Sequence, residues 1–278
     1  MSRKFALLGH PLGHTMSPPI HQRLFALSGD PDVEYLVRDV PLTRLAEEMP
    51  ALLQMDGLNV TIPHKMSVIR YLDDLDDSAR RYGAVNVIRC GEKNIGYNTD
   101  VDGFIRSIES LGAPLDKRVL LLGCGGVGRM MAIESGLRGG DLTLAVRPED
   151  LEKAHTLSKD LEALTSRPAS IQLLTEVSEE YDLLINATPV GMYPNCDACA
   201  VSPEVLGNCR YVFDAIYNPG ETKLMQLAKE QGAQVMGGMA MLVWQAVVAH
   251  EIWDHAHYNP EDIQQLIRDM EADVTERF

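Results

Sequence analysis

The sequence predicts an α/β fold of two units with mainly parallel strands, on three observations. Short apolar runs of strand length alternate with helical patterns along the whole chain. A glycine-rich run with G-x-G-x-x-G spacing, Gly123–Gly128, falls between one such apolar run and a helical pattern. The alternation breaks at Ala113–Lys117, with Pro114, and then restarts. A chain of 278 residues suits one large domain or two ordinary ones, and the break favours two.

In order along the chain, Phe5–Leu8 reads as a buried strand closed by Gly9, and Ser17-Pro18 as a helix start with serine as N-cap. Ile20, Leu24 and Leu27 give that helix its apolar face, and Gly29 suits its end. Tyr35–Val40 is the next strand, followed by a helix around Leu42–Leu53. Leu58–Ile62 is a strand stopped by Pro63, and His64–Leu72 is expected to be helical. Ala84–Arg89 and Ile95–Asn98 flank a hairpin turn, and Thr99 or Asp100 caps a helix running to Gly112. Beyond the break come strands at Val119–Leu122, Leu142–Val146, Ile171–Leu174, Leu183–Asn186 and Tyr211–Ala215, with helices between. Two closing helices, roughly Met239–His255 and Pro260–Glu276, follow Gly237-Gly238, and periodicity alone leaves open which unit they join.

Composition excludes several function classes. With 25 Lys+Arg against 40 Asp+Glu the net charge is −15, which argues against nucleic acid or an anionic membrane as partner. No run approaches the roughly 18 apolar residues of a membrane span, and the first apolar stretch is too short for a signal peptide. The five cysteines are odd in number and scattered, as expected of reduced thiols in a cytoplasmic enzyme. Cys196 and Cys199 have metal spacing, but only Cys209 lies near as a third thiol and no histidine matches, which favours an ordinary loop. His250 and His255 resemble a zinc-protease helix, yet five positions separate them by about 140° on a helix, too far for one metal. His10, His14 and His21 surround the first loop without forming a metal triad, so no metal is expected.

The loop glycines Gly123, Gly125, Gly126 and Gly128 permit a tight turn and a close backbone approach, with a helix N-terminus facing a pyrophosphate. The following strand ends in Arg147, where an NAD site would carry an acidic residue, and a guanidinium there suits the 2′-phosphate of NADP. A solvated surface arginine is the alternative, and Glu149 or Asp150 could instead bond a ribose. In the first unit Asn59 and Thr61 share one strand face, at the carboxyl end where open α/β sheets bind ligands. Lys65 lies just beyond, and Asn86 and Asp100 add two further polar positions. An ionised aspartate beside a lysine can form a proton-transfer pair, against the plainer readings of a surface lysine and an N-cap carboxylate. Thr15 and Ser17 offer hydroxyls at another strand–helix junction, with a helix cap as the alternative for Ser17. A set so rich in amides and hydroxyls suits a polyhydroxylated small molecule better than a phosphate.

Taken together, the motifs resemble those of the shikimate dehydrogenase family, in family order and over nearly the whole chain. They are Gly9-His-Pro-Leu-Gly-His-Thr-Met-Ser17-Pro, Asn59-Val-Thr-Ile-Pro-His-Lys65, Gly83-Ala-Val-Asn86, Tyr97-Asn-Thr-Asp100 and Gly123-Cys-Gly-Gly126. Asn186-Ala-Thr-Pro-Val-Gly-Met192, Asp214-Ala-Ile-Tyr-Asn-Pro219 and Met241-Leu-Val-Trp-Gln245 complete the series. The resemblance implies an N-terminal open α/β substrate domain, residues 1–104 with 239–278 returning to it, and a Rossmann-like NADP-binding domain, residues 105–238. It implies reversible NADPH-dependent reduction of 3-dehydroshikimate to shikimate, with Lys65 and Asp100 as the catalytic pair. By the same resemblance Asn59, Thr61, Asn86 and Gln245 hold the ring hydroxyls, Thr15 and Ser17 bind the carboxylate, and Tyr217 lies near it. Thr188 and Gly238 join Arg147 and the loop glycines around the cofactor.

Three departures accompany the resemblance. Thr15 stands where shikimate-specific members usually carry serine, Ala145-Val-Arg147-Pro148 replaces the usual Asn-Arg-Thr, and His64 replaces a common aromatic or apolar residue. Quinate/shikimate dehydrogenase using NAD is therefore the alternative within the class, and a non-catalytic ligand sensor the alternative outside it. The chain is expected to act on a small polyol carboxylate as a monomer or homodimer.

Overall fold

The computed structural model describes residues 3–13 and 15–277, so His14 lies outside the described residues. The chain divides into two compact units, Met1–Gly103 with Leu242–Met270, and Phe104–Met241 with Glu271–Phe278. In chain order the first segment contributes β1 (Lys4–Gly9), α1 (Ser17–Leu27), β2 (Glu34–Asp39), α2 (Leu45–Leu52), β3 (Gly57–Val60), β4 (Asp74–Leu75), α3 (Asp77–Tyr82), β5 (Val87–Arg89) and β6 (Ile95–Tyr97). Helix α4 (Asp100–Leu111) leads into β7 (Arg118–Leu122), α5 (Gly126–Leu137), β8 (Asp141–Val146), α6 (Leu151–Thr165), β9 (Ser170–Leu173) and β10 (Tyr181–Asn186). There follow α7 (Pro203–Gly207), β11 (Cys209–Asp214), α8 (Lys223–Glu230), β12 (Gln234–Gly237), α9 (Gly238–Asp254) and α10 (Pro260–Arg277).

The sheet of the first unit has the order β2-β1-β3-β5-β6-β4. Strands β1, β2 and β3 pair in parallel, while β5 runs antiparallel to both β3 and β6. The carboxyl ends of β1, β3 and β6 therefore share one edge with the amino end of β5. That single consequence of strand direction gathers the segments carrying Thr15, Asn59, Lys65, Asn86 and Asp100 at one edge of the sheet.

Central strands of this sheet are apolar on both faces because helices cover both. Phe5, Ala6 and Leu8 are fully buried, as are Leu58, Val87 and Ile88. The helix α9 docks through Trp253, whose indole N–H donates to the Ile88 carbonyl at 3.0 Å. Its ring lies where any Cβ at residue 57 would stand, which requires glycine there.

Between α1 and α9 sit two buried imidazoles, His21 Nδ1 and His250 Nε2, 3.0 Å apart. Burial drives the His250 pKa down to about 3, with the Arg3 charge adding to the effect, and burial beside the second imidazole holds His21 well below its usual value. Both are neutral in the folded protein near pH 7, whereas the unfolded chain protonates them below about 6.5. Stability from this pair is thus present above that value and lost as pH falls towards 3. Between pH 7 and 5.5 the loss should be about 2–3 kcal/mol for the pair. Urea unfolding of wild type and His250→Gln across that range checks it: the wild-type slope should exceed the variant's, and equal slopes would refute the assignment.

The second unit has the order β12-β11-β10-β7-β8-β9, with every recorded pairing parallel. Read from the other edge this is the strand order 3-2-1-4-5-6 of a dinucleotide-binding sheet, reversing direction between β7 and β10. Its core lies along Leu120, Leu122, Leu184 and Val212, all fully buried.

Several local expectations need correction. Residues 64–72 form turns ending in a short 3-10 turn, Ile69–Tyr71, and no α-helix: most of their backbone bonds close single turns, and the Lys65 carbonyl accepts from Val85 N instead of from within the segment. Ser17 is the first residue of α1, which Met16 precedes, and no side chain caps the helix. Strands β4 and β12 were not anticipated; β4 has only two residues, and β12 carries a weak apolar pattern at the sheet edge. Among the described residues no helix is long and apolar enough to cross a membrane.

Candidate functional site

Lys65 and Asp100 form the centre of the first unit's polar cluster. Lys65 Nζ stands 2.5 Å from Asp100 Oδ2, with the two side chains 27% and 21% exposed, so the pair is packed yet open to a ligand. The turn after β3 holds Lys65 from several sides. His64 N–H donates to Thr61 O at 2.9 Å, and the Lys65 carbonyl accepts from Val85 N at 2.8 Å. His64 itself is fully buried, and its Nε2 lies 2.6 Å from the Val40 carbonyl. A carbonyl can only accept, so Nε2 is the protonated nitrogen and donates. The third departure from the family pattern is thus an anchor between the end of β2 and the lysine turn.

Asp100 opens α4, where the helix N-terminus favours negative charge. Its carboxylate does not serve as a plain helix cap. Oδ2 pairs with Lys65, while Oδ1 accepts from Asn86 Nδ2 at 3.0 Å. Asn86 Oδ1 in turn accepts from Thr99 N at 2.7 Å, and its Nδ2 also reaches Thr99 Oγ1 at 3.0 Å and Gln245 Oε1 at 3.4 Å. Thr99 Oγ1 donates to the Gln245 carbonyl at 3.0 Å, which ties α9 to the start of α4. Lys65, Asn86, Thr99, Asp100 and Gln245 therefore form one connected network.

Asn59 sits beside this network rather than in it. It is paired in register with Val87 on β5 and Leu7 on β1, and its Oδ1 accepts from Tyr35 OH at 2.7 Å. Thr61 follows β3, its backbone N–H donating to Leu8 O at 2.8 Å. Thr15 Oγ1 accepts from Ser17 N at 3.2 Å, so these two residues form one local turn before α1.

The second unit carries a separate cleft of about 270 Å³ at the carboxyl ends of β7, β8 and β10. Gly123 turns the chain out of β7 at φ +92°, a left-handed conformation that favours glycine. Gly128 lies in the first turn of α5, where a Cβ would overlap the Gly123 carbonyl oxygen. Gly125 precedes α5 and Gly126 begins it, leaving the helix N-terminus free of any side-chain cap. A glycine cradle at a helix N-terminus, at the point where strand order reverses, fits the pyrophosphate of a dinucleotide.

Arg147 stands at the end of β8 and lines the same cleft. Its Nε and Nη2 donate to Asp150 Oδ2 at 3.0 and 2.7 Å, and Lys153 Nζ donates to Asp150 Oδ1 at 2.8 Å. The two cations hold the Asp150 carboxyl below the usual carboxylate range. Lys153 escaped the sequence reading, although the spacing Arg147, Asp150, Lys153 places all three within two turns. Two cations around one anionic oxygen pair are chemically able to grip a phosphate.

Thr188 enters the cleft from the loop after β10, its Oγ1 donating to Asn186 Oδ1 at 2.7 Å. Asn186 Nδ2 donates to Asp214 Oδ1 at 2.9 Å, and Asp214 Oδ2 accepts from Thr222 Oγ1 at 2.6 Å. Burial pushes the Asp214 carboxyl up to about 6 against these stabilising bonds. The buried chain fixes both the Thr188 loop and the segment after β11 that bears Tyr217, whose phenol burial also raises. At Gly238 a Cβ would overlap the Ala215 carbonyl, so that glycine permits the start of α9 to pass close to the end of β11. Among the described residues no group of three or more His, Cys, Asp or Glu could hold a metal ion, and all five cysteines are free.

Comparison with known proteins meets this geometry at both ends. Residues 7–88 match the family described as the shikimate dehydrogenase substrate binding domain. The shikimate dehydrogenase (NADP(+)) of Shouchella clausii is 35% identical over 274 residues, spanning 96% of this chain and 98% of that one. A crystal structure of a shikimate dehydrogenase in complex with NADP+ superposes with a TM-score of 0.86 at 35% identity, covering 97% of this chain and 96% of that one. The shikimate 5-dehydrogenase of Listeria monocytogenes in complex with shikimate and NAD gives 0.84 at 28% identity, covering 96% of each chain. With the polar edge in one unit, the glycine cradle in the other and full-length similarity across both, the chain belongs to the shikimate dehydrogenase family.

Proposed function

We propose that this protein catalyses the reversible NADPH-dependent reduction of 3-dehydroshikimate to shikimate, with Lys65 and Asp100 as its catalytic pair. The observation that carries this reading is the 2.5 Å contact of Lys65 Nζ with Asp100 Oδ2 inside a ring of amides and hydroxyls. NADPH, when bound, supplies the hydride. Gly123, Gly125, Gly126, Gly128, Thr188 and Gly238 shape its binding loop, and Arg147 answers its 2′-phosphate.

The roles within the pair follow from which atoms remain free. Both carboxylate oxygens of Asp100 are engaged, one by Lys65 and one by Asn86. The Lys65 ammonium has Asp100 as its one recorded partner among the described residues, which leaves two of its three N–H bonds for a substrate oxygen. Lys65 therefore donates the proton to the carbonyl oxygen as it becomes an alkoxide, and Asp100 holds the ammonium in place. In the oxidative direction neutral Lys65 takes the hydroxyl proton back. Asn59, Thr61, Asn86 and Gln245 orient the ring hydroxyls, while Thr15 and Ser17 receive the carboxylate, with Tyr217 near it. Unpaired, scattered thiols support a cytoplasmic setting, with the chain acting as a monomer or homodimer.

The test is a matrix of shikimate and quinate against NADP and NAD, ranked by kcat/KM. Shikimate with NADP should rank first. Quinate ranking first would transfer the assignment to quinate oxidation, the reading that Thr15 favours. Absence of turnover in all four cells would remove the enzyme assignment and leave the ligand sensor.

A further inference from the structure

Asn59 has two chemically different ends, and the structure assigns which of them faces the ligand. Its Oδ1 meets Tyr35 OH at 2.7 Å, and Tyr35 is buried with no other polar partner among the described residues. A buried phenol must place its O–H proton on an acceptor, and the acceptor recorded for it among the described residues is that amide oxygen. The reverse assignment, with Asn59 Nδ2 donating to the phenol, would leave the phenol proton orphaned in the core. Nδ2 is thereby left without a partner among the described residues, at the strand edge where Lys65 and Asn86 also lie.

We propose that Tyr35 is a positioning residue that locks Asn59 as a hydrogen-bond donor, so that the substrate oxygen it meets must accept. This rests on Asn59 being a substrate ligand, as the proposed function has it. Tyr35 is itself held firmly. It lies on β2, its ring stacks on His21 with centroids 4.5 Å apart at 12°, and His21 Nδ1 meets His250 Nε2 on α9. In register it stands opposite Phe5, while Asn59 stands opposite Leu7, so the phenol reaches diagonally across β1 to the amide. Burial raises the phenol pKa well above its usual value, so the lock does not titrate over the working range of the enzyme.

Without the phenol oxygen the amide can rotate between donor and acceptor, and the substrate pays for ordering it. Tyr35→Phe keeps the ring stack and removes only that oxygen. It should raise KM for shikimate about five- to tenfold, the scale of one neutral hydrogen bond, with kcat within about twofold and KM for NADP unchanged. Asn59→Ala should raise KM for shikimate as well, and adding Tyr35→Phe to it should have no further effect. A purely structural Tyr35 would instead raise KM by the same factor in both backgrounds, which overturns the proposal. Asn59→Asp supplies a second arm: the phenol keeps its acceptor, but the donor end is gone, so KM should rise at least as far as in Asn59→Ala. Wild-type KM in Asn59→Asp would mean that an acceptor faces the ligand, again overturning it. Wild-type KM in Asn59→Ala would instead remove Asn59 from the substrate site, a distinct failure of the proposed function at this residue.

Discussion

Lys65→Ala is expected to lower kcat for shikimate oxidation by about 10³-fold while changing KM for shikimate only a few-fold. The loss combines proton transfer, worth about 10²–10⁴, with the charge that stabilises the developing alkoxide. Both act chiefly in the transition state, so their removal falls on kcat more than on binding. Asp100 keeps its Asn86 bond in the variant, which preserves the local backbone and separates chemistry from folding. Steady-state kinetics with purified variant checks this. A raised KM with unchanged kcat would make Lys65 a ring ligand alone, and wild-type values of both would exclude it from the site.

The pattern of what the sequence disclosed follows from the range of the interactions involved. Alternation of apolar runs and helical stretches is local, so the strands of both sheets apart from the edge strands β4 and β12, the hairpin at β5 and β6, and the strand–loop–helix around Gly123 were legible in the sequence. Lys65 and Asp100 were legible from their residue types as a possible pair and through motif order as a catalytic one, while 35 positions separate them and nothing local joins them. Their 2.5 Å contact and the Asn86 bond, visible only in the structure, support the pairing over a surface lysine and a capping aspartate.

Tyr35 illustrates what stayed hidden. As an aromatic residue in an apolar strand it carries the signature of core packing, and its ring does pack in the core with Phe5, Leu7 and Phe25. Its single polar atom acts across an intervening strand, a relation that no spacing rule encodes. His64 was hidden for a similar reason, since its partner is a backbone carbonyl 24 positions away. The residues 64–72 misled because their apolar spacing suits a helix, whereas the backbone closes only separate turns and gives the Lys65 carbonyl to Val85 N.

Arg147→Ala is expected to raise KM for NADP by about ten- to a hundredfold and to leave KM for NAD within about threefold. A charge-assisted hydrogen bond is worth about 1.5–3 kcal/mol, and each 1.4 kcal/mol is tenfold in affinity. The lower end of that range is favoured by two features of the cleft. Asp150 already engages Arg147 through two nitrogens, so the guanidinium must exchange one anion for another when the 2′-phosphate arrives. Lys153, bound to the other oxygen of Asp150, remains in the variant as a second cation for the phosphate. The strand end also lacks the usual asparagine and threonine, which removes neutral donors that would otherwise add to the discrimination. At saturating NADP, kcat should stay close to wild type, because neither cation belongs to the reacting group. The preference for NADP should also weaken as salt rises, since Arg147 is 61% exposed and its field is screened. Parallel increases in KM for NADP and NAD would assign Arg147 to the shape of the loop instead. Unchanged KM for both would pass the phosphate to Lys153.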